Sequence, residues 1–469
     1  MREFLVRLIQ KIDLDFNTSF KTLQTVYYLQ FYLIYIEINM SHHLISKSGY
    51  KNLELRLNQA PQGAPPSDLL FRIFEILFSE KEAKLLSLLP IRPFTVKKAA
   101  VIWKKKASEA RQILDRFADR ALLVDFLKDD EHVYVLPPPM AGFFEFSLMR
   151  IRNDIDQKLL SELFYQYLNV EEDFVKDLFT RGETQLGRTF VNEIALSDEN
   201  ALHVLSHERV TEVIESASHM GISTCYCRHK MYHVGKNCDA PMDICMTFNK
   251  SAQSLIRHGY ARQVDSIECS ELLEKAYEHK LVQFGENVRE NVNFICNCCA
   301  CCCEAMIVAR KFAFLSPVHT TQFIPVLDEH ICIGCGRCIQ VCPVEAMLLI
   351  SANNPKKTKE KKATLDESRC LGCGLCVNEC KDEAITLQSR SKRILTPLNA
   401  AHRTVLMAIE RNKLQHLIFD NKVLFSHRAL AAVLGVILKI PPVKQIIANK
   451  QLQSRYLEAL IQRHLGSPG

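Results

Sequence analysis

The chain has 469 residues, of which 48% are hydrophobic and 24% charged, and its formal net charge is +6. This is the composition of an ordinary globular protein with room for about three domains, and the small positive charge gives little support to a nucleic-acid partner. All 19 cysteines lie between Cys225 and Cys380, whereas a disulfide-stapled secreted protein would spread them along the chain. The sequence therefore argues against that class and predicts a cytoplasmic protein in a reducing compartment.

The N-terminal region, residues 1–66, is predicted to be an extension that ends in a Pro/Gly/Ala linker at 61–66. It carries no secretory signal, because no early apolar run is followed by a small-residue cleavage site. Its most apolar stretch, residues 26–36, is too short to span a bilayer and would form an interfacial or a buried helix, so we expect no transmembrane segment. Met40 opens a segment that resembles a natural start, which leaves open whether residues 1–39 are native; a start at Met40 would make them dispensable.

Residues 67–140 combine helices with a β-hairpin. Ser67 and Thr95 are expected to cap amphipathic helices, and a further amphipathic helix is predicted over 107–120. Two strands then surround the polar turn 128–131. Helices followed by a hairpin are typical of a winged-helix module.

The charges of this module do not favour DNA binding. A winged helix that reads DNA places cations on phosphates and polar side chains on bases, through its last helix. Here the helix over 107–120 has mixed charge, and basic residues gather before it, between Lys97 and Lys106. Nucleic acid therefore stays possible but not favoured, and a protein-docking or purely architectural module is preferred.

Two further regions have helical periodicity and no catalytic motif. Residues 141–224 are predicted to form a helical platform that packs the cysteine-rich core, and residues 391–469 a C-terminal helical region. The apolar run at 429–440 is too short for a membrane helix.

Residues 225–325 are predicted to bind metal through two cysteine loops. The first loop contains Cys225, Cys227, Cys238 and Cys245, and the second contains Cys296, Cys298, Cys299, Cys301, Cys302 and Cys303. Free thiolates at this density would repel one another and oxidise readily, whereas a metal neutralises them. Thiol redox chemistry without metal is the alternative.

The sequence does not decide which cysteines of this region bind metal together. Either some of the six clustered cysteines are spare, or the two loops jointly hold one or two clusters. His229 and His233 are less favoured alternatives as direct ligands, and Cys269 is expected to be an ordinary buried cysteine.

The stretch from Cys332 to Cys380 repeats the spacing Cys-x2-Cys-x2-Cys-x3-Cys, as CIGCGRCIQVC and CLGCGLCVNEC. This is the spacing of bacterial ferredoxins with [4Fe–4S] clusters, whereas zinc sites usually show two cysteine pairs separated by a longer loop. Residues 326–390 therefore resemble a two-cluster ferredoxin domain. Two departures are Lys381, which replaces the usual proline, and an insert at 353–362.

The resemblance implies two ligand sets, because the fourth cysteine of each motif reaches the other cluster in such domains. The first set is Cys332, Cys335, Cys338 and Cys380, and the second is Cys342, Cys370, Cys373 and Cys376. The motif, the two cysteine loops and the winged-helix pattern together resemble a group of multi-cysteine bacterial iron–sulfur proteins of the 4Fe–4S dicluster type. That resemblance covers most of the chain after Met40 and implies no particular reaction.

These inferences predict an α+β fold, in a mostly helical multidomain chain with an N-terminal winged-helix-like module and a ferredoxin-type 2[4Fe–4S] domain. The predicted function is electron transfer with a redox partner protein, by two [4Fe–4S] clusters and one additional iron–sulfur cluster. The sequence contains no Gly-rich dinucleotide motif and no P-loop. Two alternatives stay open: a redox-sensing winged-helix transcription regulator, and the iron–sulfur subunit of a cytoplasmic oxidoreductase.

Overall fold

The computed structural model combines helices with antiparallel strands in an α+β fold. The residues it describes are 49–352, 361–391, 396–420 and 431. The expectations for the apolar stretch at 26–36, for a start at Met40 and for helices beyond residue 420 lie outside these residues. Within the described ranges, each helix is too short or too polar to cross a lipid bilayer.

The first module joins helices to a three-stranded sheet, ordered β1–β3–β2 with antiparallel neighbours. Its elements are α1 (Gly49–Leu57), α2 (Asp68–Leu77), α3 (Glu80–Ser87), β1 (Phe94–Thr95), α4 (Val96–Trp103), α5 (Ala107–Asp119), β2 (Val124–Lys128) and β3 (Glu131–Val135). The Ser67 side chain accepts a hydrogen bond from the N–H of Leu69, and Thr95 accepts one from the N–H of Lys98. Both predicted N-caps are therefore confirmed, and the apolar face of α5 is buried as its periodicity predicts.

The Pro/Gly/Ala segment that was predicted to be a linker is instead buried between α1 and α2, at residues 61–64. The carbonyl of Pro61 accepts a hydrogen bond from Arg411 Nη1 at 3.0 Å, and the carbonyl of Ala60 accepts one from Lys413 Nζ at 2.8 Å. Two cations from the C-terminal part of the chain therefore satisfy carbonyl groups that a free linker would expose to water.

The middle of the chain contains a six-stranded antiparallel sheet, in the order β4–β8–β9–β6–β5–β7. The elements here are α6 (Phe144–Phe146), α7 (Gln157–Tyr165), α8 (Asp173–Thr180), β4 (Gly187–Thr189), α9 (Asp198–His203), α10 (Val210–Ser216), β5 (Met220–Thr224), α11 (Tyr226–His233), β6 (Asp243–Phe248), α12 (Asn249–Arg257), β7 (Arg262–Gln263), α13 (Ser266–Glu278), β8 (Val282–Glu286), β9 (Phe294–Cys298) and α14 (Glu304–Lys311). Strands β4 and β5 fall inside the segment whose pattern indicated a helical platform. Both are short and pair with strands later in the chain, so their local sequence does not reveal them.

Residues on the central strands alternate between two faces of this sheet. Met246 on β6 and Ile295 on β9 pack with α10 and α13 in one apolar cluster. Cys245 on β6, and Cys296 and Cys298 on β9, occupy the intervening positions. Because strand side chains alternate with a period of two, these cysteines share the opposite face.

The ferredoxin-like segment contains two antiparallel strand pairs, β10 with β13 and β11 with β12. Its elements are β10 (Phe323–Leu327), α15 (Arg337–Val341), β11 (Met347–Ser351), β12 (Lys361–Leu365), α16 (Leu375–Asn378) and β13 (Ile385–Ser389), and the C-terminal helices α17 (Ala400–Glu410) and α18 (Leu414–Ile418) follow. The predicted insert lies between β11 and β12, and its residues 353–360 are outside the described ranges.

One buried carboxylate joins the hairpin of the first module to α12. Asp125 on β2 accepts hydrogen bonds from Ser254 Oγ at 2.9 Å, Arg257 Nη1 at 2.6 Å and His258 Nε2 at 2.9 Å. His258 Nδ1 lies 2.9 Å from a carboxylate oxygen of Asp119. Burial alone lowers the pKa of His258, but its hydrogen bond to Asp125 and the nearby negative charges outweigh burial and raise it.

The first prediction concerns Asp125→Asn, which leaves the cations of this junction buried without their carboxylate. We expect a loss of about 3 kcal/mol in the free energy of unfolding of the first module, because breaking a buried ion pair from one side costs about 3–5 kcal/mol. Urea unfolding followed by the fluorescence of Trp103, the single tryptophan of the chain, measures the change.

Asp119→Asn is the matched control, because the Asp119 side chain is 65% exposed and exposed ion pairs contribute little. Because the pKa of His258 is raised, protonated His258 stabilises the folded protein fully below its unfolded pKa of about 6.5. This stabilisation is lost as the pH rises through the raised pKa. The effect of Asp125→Asn should therefore shrink in alkaline buffer. Equal effects of the two variants at neutral pH would contradict this account of the junction.

Candidate metal centres

The eight cysteines of the ferredoxin-like segment line two separate cavities. The first cavity, termed the outer site, is lined by Cys332, Cys335, Cys338 and Cys380. The second, termed the inner site, is lined by Cys342, Cys370, Cys373 and Cys376. Each cavity thus gathers one of the two predicted ligand sets, with the fourth cysteine supplied by the other motif.

Two glycines let strands pass directly over the cysteine loops. Gly334 and Gly372 hold equivalent places in the two motifs and have φ values of 70° and 71°. A Cβ atom would lie 2.0 Å from the carbonyl oxygen of Lys361 at the first position and 2.2 Å from that of Phe323 at the second. Glycine is therefore required on both conformational and steric grounds.

The two sites differ in their surroundings. At the outer site, Cys335 is exposed, and Arg337 Nε donates to its sulfur at 3.4 Å, which lowers the pKa of this thiol. At the inner site, burial raises the pKa of Cys373 to about 12. The carbonyl of Cys373 also accepts a hydrogen bond from the N–H of Asn192 at 2.9 Å. The outer site therefore faces solvent, and the inner site faces the domain of the six-stranded sheet.

Six cysteines from the two upstream loops form a closed ring in which each thiol interacts with its two neighbours. In order, this six-thiol ring consists of Cys225, Cys227, Cys303, Cys298, Cys296 and Cys245. Cys225 and Cys303 are the N-cap residues of α11 and α14, Cys227 lies in the first turn of α11, and the others lie on β6 and β9. The Sγ atoms of Cys298 and Cys303 are 3.1 Å apart.

The ring lines a cavity of about 120 Å³, which is room for a group much larger than one water molecule. Most of the remaining lining is apolar, but Glu145 and Tyr226 also contribute. The Glu145 carboxylate accepts a hydrogen bond from the N–H of Gly142 at 2.7 Å, and the buried Tyr226 hydroxyl has no partner among the described residues. An all-sulfur donor set around a cavity of this size fits a polynuclear iron–sulfur cluster.

Interactions between neighbouring thiols shift the pKa values of the ring cysteines in two directions. The pKa is lowered at Cys225, Cys296 and Cys303, the last to about 5, and it is raised at Cys227, Cys245 and Cys298. The two directions of the pKa shift alternate around the ring. Because metal ligands are thiolates, metal binding must displace the protons of the raised set.

The other four cysteines of the two loops meet beside the ring. This four-thiol site consists of Cys238, Cys299, Cys301 and Cys302, whose sulfur atoms all lie within 4.8 Å of one another. Both loops therefore contribute to both groups, and the ten cysteines divide into six and four.

Arg228 lies between the ring and the four-thiol site. Its guanidinium donates to the carbonyl of Asn297 at 3.1 and 3.2 Å and lies close to Cys299. Burial lowers the pKa of Arg228, but the thiolates of Cys225, Cys245 and Cys299 outweigh burial and raise it. This cation therefore faces sulfur from both groups.

Neighbouring polar residues hold the loops in place. Lys230 is fully buried, forms an ion pair with Glu304 and donates to Asn169 Oδ1 at 2.6 Å, so it ties the last turn of α11 to the start of α14. His229 Nδ1 lies 2.7 Å from the carbonyl of Leu148, and its Nε2 lies 3.2 Å from Nε2 of His233. From these contacts we assign both histidines a structural role, in packing beside the thiols.

Residues 331–384 match the family model described as a 4Fe-4S dicluster domain. The match contains both motifs, so this segment is an iron–sulfur domain. No curated protein and no solved structure matches the chain.

Sequence reasoning missed Glu145, Tyr226 and the division of the cysteines into two groups. A partial signal was available: in NFICNC, Phe294, Cys296 and Cys298 alternate with Ile295 and Asn297, as expected for a strand whose cysteines share one face. Cys269, as expected, is an ordinary cysteine, fully buried among apolar residues of α13 and its neighbours.

The second prediction is that Gly372→Ala lowers the iron content of the full chain by about one cluster. The new methyl group would meet the carbonyl of Phe323 and would strain a residue whose φ is positive, so the loop of the inner site must move. Iron analysis after anaerobic purification measures the loss.

Gly259→Ala is the matched control, since Gly259 has a similar φ of 69° and its nearest neighbour is the end of the Arg150 side chain at 3.4 Å. This variant places alanine at a similarly positive φ but without the clash against backbone, so it should keep its iron. Full iron in Gly372→Ala would show that the loop tolerates a side chain at this position.

Proposed function

We propose that this chain is an iron–sulfur electron-transfer protein with clusters at the outer site, the inner site and the six-thiol ring. One observation carries the proposal: cysteines of the inner site and of the ring belong to a single continuous core, whereas the outer site reaches the surface. Cys370 of the inner site and Cys298 and Cys303 of the ring are members of that core. When bound, such clusters take up and release single electrons.

The donor sets support different clusters at the three sites. The outer and inner sites each offer four thiols, which is the number that one [4Fe–4S] cluster needs. The ring offers six, more than a single cubane uses, so it suits a larger cluster or a cubane with two extra thiols nearby. Arg228 offsets part of the thiolate charge, and the apolar cavity wall limits water.

The outer site is the proposed docking place for the redox partner protein. Cys335 is exposed there, beside Ile333, which is 64% exposed. Lys361 and Lys362 place positive charge at the same end of the segment, whereas Arg337 pairs with Asp382 at 3.2 Å and Glu379 also lines the outer site. An apolar contact beside the two lysines suits a partner with acidic residues facing them, because complementary charge speeds encounter.

The regulator alternative receives less support. Arg111 on α5 pairs with Asp115 at 2.8 Å, and Arg120, which ends this helix, pairs with Glu82 at 2.6 Å. Lys105 is paired with Glu109. Cations already engaged by carboxylates are poorly placed to contact DNA phosphates.

A small-molecule oxidoreductase is the second candidate, because a further cavity of about 380 Å³ adjoins the ring cavity. The two cavities share the residues Ala141, Phe146, Ser251, Asn293 and Phe294. A substrate held there would lie next to the six-thiol ring. A cyanide-induced change in the EPR spectrum of the reduced protein, absent when the ring is disrupted, would favour this candidate; an unchanged spectrum would favour electron transfer alone.

The third prediction is that replacing Cys225 and Cys227 together by serine lowers iron by at least one cluster and leaves the EPR signal of the ferredoxin-like segment intact. Both residues belong to the ring and neither lines the outer or inner site, so only the ring loses ligands. Iron and sulfide analysis with EPR of the anaerobically reduced full chain measures both quantities.

Cys269→Ser is the control, since it makes the same chemical change at a buried cysteine outside the three sites. It should keep the iron content of the wild-type chain. Unchanged iron in the double variant would mean that the ring holds no cluster and would favour metal-free thiol chemistry instead. Absence of spin-coupled [4Fe–4S] signals from the wild-type chain would remove the electron-transfer proposal altogether.

A further inference from the structure

The four-thiol site has the size of a single tetrahedral ion. The sulfur of Cys302 lies 3.6 Å from that of Cys301 and 3.8 Å from that of Cys238, and every pair in the site is within 4.8 Å. A zinc ion with bonds of about 2.3 Å to four sulfurs places those sulfurs about 3.8 Å apart. A cubane cluster instead binds each thiolate to a different iron, which spreads the ligands farther.

The site is complete without any thiol of the six-thiol ring. Cys299 directly follows Cys298, but Cys298 is turned toward the ring while Cys299 joins Cys238, Cys301 and Cys302. The Arg228 guanidinium lies near Cys299 of this site and near Cys225 and Cys245 of the ring. A buried cation thus stands between two groups of sulfur, which allows each group to hold its own metal.

The position of Cys238 shows what an ion at this site would do. Cys238 belongs to the segment 234–242 that connects α11 to β6, in which four of the nine residues are exposed and the others half-buried. The same connection is flanked by ring thiols, Cys227 before it and Cys245 after it. An ion shared with Cys299, Cys301 and Cys302 would fasten this connection to the loop that also carries the ring thiols Cys298 and Cys303.

We propose that Cys238, Cys299, Cys301 and Cys302 bind one structural zinc ion, separate from the iron–sulfur clusters. Four thiolates close the tetrahedron and leave no open position, which is the arrangement of structural rather than catalytic zinc sites. Zinc undergoes no redox change, so the ion would hold the two loops in the same geometry whatever the oxidation state of the neighbouring cluster. The proposal does not depend on electron transfer, because it concerns a different metal and different ligands.

The fourth prediction tests this site in the anaerobically purified full chain. Wild-type protein should contain one zinc per chain in addition to its iron, measured by elemental analysis. Cys301→Ser should lose that zinc and keep its iron, because Cys301 is exposed and lies outside the ring. Cys301→His should retain zinc, since three cysteines and one histidine also form a structural zinc site.

Further measurements keep the test decisive if a variant folds poorly. Exchange of wild-type protein with Co²⁺ should give the absorption bands of tetrahedral thiolate-bound cobalt, at one cobalt per chain and without loss of iron. The serine double variant of Cys225 and Cys227 should lose iron but not zinc, so failure of the cluster proposal and failure of the zinc proposal are distinguishable. Loss of one iron or of several irons from Cys301→Ser, or wild-type protein without zinc, would overturn the proposal.

Discussion

The central physical constraint in this protein is the negative charge of thiolates that cluster in its interior. Ionised groups in a low-dielectric interior repel one another strongly and lose the solvation of water. The chain lessens this cost in two ways among its described residues: Arg228 lies against both groups of sulfur, and Cys225 and Cys303 stand at the N-termini of α11 and α14, where the helix dipole favours negative charge. These contributions are small beside ten thiols, so metal ions are the natural source of the remaining positive charge.

The scaffold around the thiols follows from that requirement. Strands β6 and β9 present cysteines on one face and apolar side chains on the other, so the sheet both builds the ring and attaches it to the core of α10 and α13. The Lys230–Glu304 ion pair then joins the two helices, α11 and α14, whose N-terminal cysteines complete the ring. Rigid elements, rather than free loops, thus hold most of the donor atoms, which favours a fixed cluster geometry.

The remaining modules enclose this centre. The first module is fastened to α12 through Asp125, and the C-terminal helices reach back to it through Arg411 and Lys413. On the other side, the ferredoxin-like segment turns its inner site toward the sheet and its outer site toward solvent. Buried sulfur at the centre and exposed sulfur at one end suit a protein in which electrons enter at a surface and are used inside.

Features with a local cause could be predicted from the amino-acid sequence. The repeated Cys-x2-Cys-x2-Cys-x3-Cys spacing confines three sulfurs to one tight turn, so it identifies the iron–sulfur domain without any knowledge of the fold. Ser67 and Thr95 cap their helices through atoms two or three residues away, and the apolar spacing of α5 predicts its buried face. Each of these inferences needs only a few consecutive residues.

Only the tertiary structure decided how the other ten cysteines are grouped. Cys298 and Cys299 are adjacent in the chain but belong to different groups, whereas Cys225 and Cys303 belong to the same ring although 77 residues lie between them. Which thiols meet depends on the pairing of β8 with β9 and of β6 with β5, and a shift by one residue would turn every side chain of a strand to the other face. Strand register arises from packing across the whole sheet, so cysteine spacing within a single loop cannot specify it.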